Sequence, residues 1–125
     1  MNVFTFVAVA LAGGLGAAAR LVVDGVLRAR VRTAFPLGTT VINVSGSLLL
    51  GLLTGLALAN LVSAQWQLIL GGGLLGGYTT FSTASVETVR LLQGRRYLLA
   101  LATGLGMLVA SVAAAGFGLW LGLTL

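Results

Sequence analysis

Thr79-Thr80-Phe81-Ser82-Thr83 sets four hydroxyls around one aromatic ring, one residue (Tyr78) after the run Gly71-Gly72-Gly73-Leu74-Leu75-Gly76-Gly77. The whole stretch lies inside a long apolar segment. Hydroxyls at membrane depth need partners, and glycine costs about 1 kcal/mol relative to alanine in a helix interior. Five glycines followed by four hydroxyl residues therefore predict a broken helix. Irregular backbone survives in a bilayer only where it is buried in protein or lines a watery path. The chemistry on offer is ion binding. Freed carbonyls and a threonine oxygen suit a hard cation such as Na⁺. Helix N-terminal amides and hydroxyl hydrogens suit a small anion, which can also meet the positive edge of the Phe81 ring. Most membrane phenylalanines only pack, but the hydroxyls around Phe81 favour a site.

A second polar set precedes it. Thr40, Asn43, Ser47, Gly51 and Thr54 are spaced 3, 4, 4 and 3 apart, which is one face of a helix. Thr39 lies four before Asn43 and shares its edge. Interhelical hydrogen bonding explains Ser47 and Thr54. Asn43 carries two donors and two acceptor lone pairs. It is either structural glue or a pathway residue. Thr103 and Ser111, eight apart, lie on nearly one face of the last apolar run. Gly71-x-Gly73-x-x-Gly76 formally matches a dinucleotide fingerprint, but no strand precedes it and no acid follows about 20 residues on. Gly72/Gly76 and Gly73/Gly77 are better read as close-packing pairs.

These residues must be held by membrane helices. The 125 residues are 58% hydrophobic and 7% charged, with mean hydropathy +1.11. That composition belongs to an integral membrane protein, and at about 20 residues per span the length fits four helices and short loops. The spans read as about 3–23, 37–59, 66–92 and 97–122, in one domain covering 1–125. The first run lacks the basic flank of a signal peptide and is better read as a span. Asp24–Phe35 forms a polar connection, and Pro36 suits the first turn of the next helix. Trp66 and Trp120 are interfacial anchors. Gly13/Ala17 and Gly118/Gly122 are further close-packing pairs. Glu87 and Arg90 read as an ordinary helix-surface pair. Arg20, near the end of the first span, either snorkels to the headgroups or supplies positive potential at a pore mouth, and position alone favours snorkelling.

No cysteine or histidine is present, and the only acids are Asp24 and Glu87. Disulfide and thiolate-metal chemistry are excluded. A hydrolytic or metal-dependent enzyme is hard to assemble from what remains. The seven basic residues are all arginine. They flank spans and are not interleaved with aromatics, which argues against nucleic acid as a partner.

Three motifs resemble the fluoride-specific ion channel family (Fluc, also called CrcB). They are Gly13-Gly14-x-Gly16-Ala17-x-x-Arg20, Phe35-Pro36-x-Gly38-Thr39-x-x-x-Asn43-x-x-Gly46 and Gly76-Gly77-Tyr78-Thr79-Thr80-Phe81-Ser82-Thr83. The resemblance covers nearly the whole chain. It implies an all-α integral membrane fold with four transmembrane helices per subunit and the third helix broken near the midplane. It also implies an antiparallel dimer with two narrow pores and a structural Na⁺ at the dimer axis. By motif position, Gly76 and Thr79 carbonyls hold the Na⁺. Asn43, Phe81, Thr80, Ser82, Thr83, Ser111 and Thr39 fall along the fluoride pathway, and Arg20 and Glu87 in the vestibule. The implied activity is passive fluoride export that lowers cytoplasmic fluoride. No span carries a central acid for proton coupling.

Two features depart from the family. Its pattern has a second phenylalanine where this chain has Ala84, so a homodimer would have altered pores. The arginines are also lopsided. Arg28, Arg30 and Arg32 follow the first span, Arg90, Arg95 and Arg96 flank the loop after the third, and the other loop and the ends have none. The positive-inside rule then expects both termini outside and both arginine loops in the cytoplasm. A subunit inserted one way would pair with a homologous partner of opposite orientation rather than with itself. Ala84 leaves a rival reading, a non-conducting structural subunit of a heterodimeric channel.

Overall fold

The computed structural model describes residues 1–125, and every regular element is helical. Helix α1 spans Val3–Arg30 and α2 Leu37–Leu58. Next come α3, Ala64–Gln67, a π-helical segment, Leu68–Leu75, and the single turn α4, Gly76–Tyr78. After the break at Thr79–Thr80, α5 covers Phe81–Gln93 and α6 covers Tyr97–Thr124. Helices α1, α2 and α6 are each long and apolar enough to cross a bilayer. Only 20 of 125 residues are buried, while Leu11, Leu15, Val109 and Phe117 stand exposed. A soluble domain would not leave so much aliphatic surface uncovered. The chain is a multi-pass membrane protein.

Glycines set the packing. Across α2 and α6, a Cβ on Gly118 would strike the Leu48 carbonyl, and one on Gly122 would come within 2.8 Å of the Gly55 Cα. Gly51 and Gly55 meet α6 in the same way at Ala115 and Leu119. Without hydrophobic drive between helices in lipid, such backbone approach is what dispersion and packing reward. Helix α1 packs on the π segment and α4, with Gly73 against Val9 and Gly77 against Gly13. Gly73/Gly77 is thus a packed pair. Gly72 meets nothing within 4 Å, and Gly76 meets only its own helix.

The break is not where the glycines are. No glycine has a positive φ, and the run Gly71–Gly73 is wound as a π-helix rather than unwound. Extended backbone begins at Thr79 (φ −80°, ψ 161°) and continues through Thr80 (φ −148°, ψ 122°). Gly73 and Gly77 serve close approach, and the threonines carry the interruption.

Helix α1 runs well past the expected end of the span. Asp24–Arg30 are helical, so the connection is only residues 31–36. Falling hydropathy marks departure from lipid, whereas the helix continues on the Asp24–Arg28 pair (2.9 Å) and on cations favoured at its C-terminus. Glu87 forms no surface pair with Arg90. It accepts from the Thr39 hydroxyl and lies 3.5 Å from Arg28, tying α5 to α1 and α2.

Substituting leucine for Gly118 should abolish a monodisperse folded protein, since overpacking costs about 1–3 kcal/mol even without a backbone collision. Gly116 on the same helix has nothing within 4 Å of its Cβ position, so Gly116→Leu should leave thermal unfolding in detergent nearly unchanged. Equal stability of the two variants would contradict this packing.

Candidate functional site

An open-sided groove of about 620 Å³ runs along α2, the broken run and α6. Its shape follows from one contact. Asn43 Nδ2 donates to the Thr80 carbonyl (2.8 Å), and Asn43 Oδ1 accepts from the Thr80 amide (2.8 Å). The side-chain amide therefore pairs with the interrupted peptide as a neighbouring strand would. Gly46 allows the approach, since a Cβ there would overlap the Thr79 methyl and sit 3.3 Å from the Tyr78 ring. Tyr78 is fixed in turn by a 3.0 Å hydrogen bond between its hydroxyl and Ser45 Oγ.

Below the break, the Thr79 amide and hydroxyl both bond the Leu75 carbonyl at 3.0 Å. Above it, Thr80 caps α5, accepting from the Thr83 amide at 3.1 Å and donating to the Thr83 hydroxyl at 3.2 Å. The amides that would close α-turns on the Gly76 and Thr79 carbonyls are those of Thr80 and Thr83. Both are engaged elsewhere, by Asn43 and by the Thr80 hydroxyl. These two carbonyls, like those of Gly77 and Tyr78, are thereby released from the helix ladder; Gly76 and Thr79 line the groove, and a carbonyl oxygen is a ligand type that fits Na⁺. At the start of α5, the Phe81 and Ser82 amides have no intrahelical acceptor, as in any first turn.

The groove brings together Asn43, Gly76, Thr79, Thr80, Phe81, Ala84 and Ser111. Phe81 is 87% exposed, with its ring on the open side. The groove does not include Ser82, Thr83, Thr39, Arg20 or Glu87. Thr83 serves the cap, and Thr39 is buried against Glu87. Glu87 borders a separate polar cavity of about 120 Å³ with Arg28 and Phe35. Arg20 is half-buried on α1, with its Nε buried and without a hydrogen-bond partner.

Several groove residues escaped the sequence reading. Ser85 and Thr88 line it together with Phe81 and Ala84. Positions 81, 84, 85 and 88 form one helical face, so periodicity restarted at the break could have found them. Met107 accepts a hydrogen bond from Asn43 Nδ2 at 3.2 Å, and nothing in its residue type signals that. Thr103 and Ser111 both face the groove from α6, and their hydroxyl oxygens are buried without partners. Thr103 is 0% exposed. Buried hydroxyls are normally satisfied, so these two leave donors uncommitted on one groove wall.

Nearly the whole chain is similar to known proteins. Residues 7–123 match the family described as "CrcB-like protein, Camphor Resistance (CrcB)". The chain is 61% identical to "Fluoride-specific ion channel FluC 1" of Leifsonia xyli subsp. xyli, over 98% of this chain and 89% of that protein. It is 50% identical to "Fluoride-specific ion channel FluC 2" of Cutibacterium acnes, over 94% and 97%. Identity to a FluC 2 of Mycobacterium tuberculosis is 40%, over 97% and 93%.

Exchange of Asn43 for aspartate keeps the shape but sets a second acceptor against the Thr80 carbonyl. The expected cost is about 1–3 kcal/mol of stability, seen as a lowered thermal midpoint in detergent. Thr54→Val serves as reference, because that exposed hydroxyl bonds only its own helix at Leu50. An Asn43→Asp protein as stable as Thr54→Val would show that the amide does not hold the break.

Proposed function

The chain belongs to the CrcB family, whose curated members are named fluoride-specific ion channels, and on that premise we propose that it is a subunit of a fluoride-selective channel. The observation that carries this reading is the groove itself, which sets the Asn43 amide opposite two unpartnered hydroxyls, Thr103 and Ser111, with no titratable side chain along it. Flow through it is passive, and the direction follows the fluoride gradient, which lowers cytoplasmic fluoride.

Fluoride is small and tightly hydrated, so a path for it must replace water with close donors. The second Asn43 N–H, the unpaired Thr103 and Ser111 hydroxyls and the edge of Phe81 supply them. A narrow, rigid wall of this kind penalises a larger anion such as chloride. Helical spacing along α5 (81, 84, 85, 88) and along α6 (103, 107, 111) keeps these groups on one side, while Thr83 stays with the cap.

The broken run Ala64–Gln93 serves as the fourth crossing. A partner covers the open side of the groove, where the exposed ring of Phe81 and the unpacked Gly72 and Gly76 await close contact. The released Gly76 and Thr79 carbonyls would hold Na⁺ at that interface, where the ion's chemistry is to fix two backbones by charge. The partner is an antiparallel homologue, because the charged side chains all fall within residues 20–32 and 87–96. Arg28 lies 3.5 Å from Glu87, so both groups are at one end of the bundle. Insertion with that end in the cytoplasm leaves both termini outside. Ala84 faces the groove beside Phe81, which supports the second reading, in which this subunit completes a heterodimer whose conducting path lies elsewhere.

Purified protein in liposomes tests this. Co-reconstitution with an opposite-facing homologue should give fluoride efflux and no chloride efflux, while the chain alone gives little. Phe81→Ile in this chain should abolish efflux from the pair. Efflux unchanged by Phe81→Ile would favour the structural-subunit reading, and full efflux from the chain alone would refute the need for a homologue. Introduced single cysteines, in a chain that has none, should label at Asn60–Gln65 from outside only. Labelling from both sides in comparable amounts would refute one-way insertion.

A further inference from the structure

Asn43 has three of its hydrogen-bonding positions accounted for. Its oxygen accepts from the Thr80 amide and one N–H serves the Thr80 carbonyl. The second N–H points to α6, where Met107 Sδ lies 3.2 Å from the nitrogen. Met107 is buried and lines the groove. Four residues before it on α6 is Thr103, and four residues after it is Ser111. Both carry buried hydroxyls with no partner. At 1.5 Å per residue, this strip is about 12 Å long. It reads donor, thioether, donor, and the thioether sits over the one amide hydrogen not committed to holding the break.

A thioether sulfur is a weak acceptor, and methionine has three rotatable bonds. It can keep an amide hydrogen occupied at rest and give it up to a stronger acceptor. It also presents electron density, not a donor, to an anion that steps between Thr103 and Ser111. We propose that Met107 is a displaceable cap on Asn43, and that an anion crossing the groove takes the second Asn43 N–H by pushing the thioether aside. Met107 is then a positioning residue that sets the rate of that step. The inference rests on the reading of the groove as a fluoride path. It does not require Met107 itself to touch the ion in its bound state.

Met107→Leu and Met107→Gln separate this role from packing, since all three side chains are close in volume. Leucine removes the acceptor and leaves the amide hydrogen free. Glutamine puts a strong carbonyl acceptor on it. In the assembly that conducts fluoride, Met107→Leu should raise the fluoride efflux rate and Met107→Gln should lower it, each by roughly threefold or more, the range of one net hydrogen bond. Thermal midpoints recorded on the same samples give the structural readout. A packing defect lowers the midpoint and the flux together, whereas the cap predicts that Met107→Leu raises flux with the midpoint unchanged or lowered. Flux unchanged in both variants, or moved in the same direction by both, would overturn the inference while leaving the fluoride reading intact. A wild-type assembly that passes no fluoride would overturn both.

Discussion

The pairing of the Asn43 side chain with the Thr80 peptide is the interaction on which the rest depends. A membrane helix cannot be interrupted without stranding polar backbone in a place that has no water to satisfy it. Asn43 solves this at one peptide by offering a donor and an acceptor in the geometry of a backbone neighbour. Everything near the break follows. Thr80 is free to cap α5, the Gly76 and Thr79 carbonyls lose their helical partners, and Phe81 is placed at the first position of a new helix with its ring on the open side. The same amide that repairs the backbone also faces the groove, so structural and transport roles need not be alternatives for this residue.

The close packing elsewhere makes that contact reachable. Glycines at 51, 55, 118 and 122 draw α2 against α6, and Gly46 lets α2 reach Tyr78 and Thr79. With α2 held between the break and α6, the Asn43 side chain meets Thr80 on one side and Met107 on the other. The charged network at the arginine end, where Thr39 and Arg28 engage Glu87, fixes α5 after its restart. Two separate anchors thus define α5, a cap at its start and an acid in its middle.

Much of this was legible in the sequence because it rests on residue types with few uses in lipid. A hydroxyl cluster after a glycine run has to interrupt a helix, and an asparagine on a polar stripe has to find a partner. The winding of the glycine run as a π-helix was not legible, and of its first three residues Gly71 and Gly73 are packed while Gly72 is open. The end of α1 was misjudged because hydropathy reports the membrane and not the helix. Thr39 and Glu87 read as separate features since 48 residues divide them, and no local pattern announces a long-range hydrogen bond. Met107 was invisible for a different reason. An apolar residue type became a hydrogen-bond acceptor only through where α6 lies.

The most direct test of the account is the ¹⁵N-resolved signal of the Asn43 side-chain amide in the reconstituted protein. One hydrogen held by the Thr80 carbonyl should stay protected from exchange throughout. The other should shift on addition of fluoride and stay unmoved by the same concentration of chloride. An Asn43 amide that is unaffected by fluoride in a conducting sample, or that shifts equally with chloride, would contradict a donor site built on the repaired break.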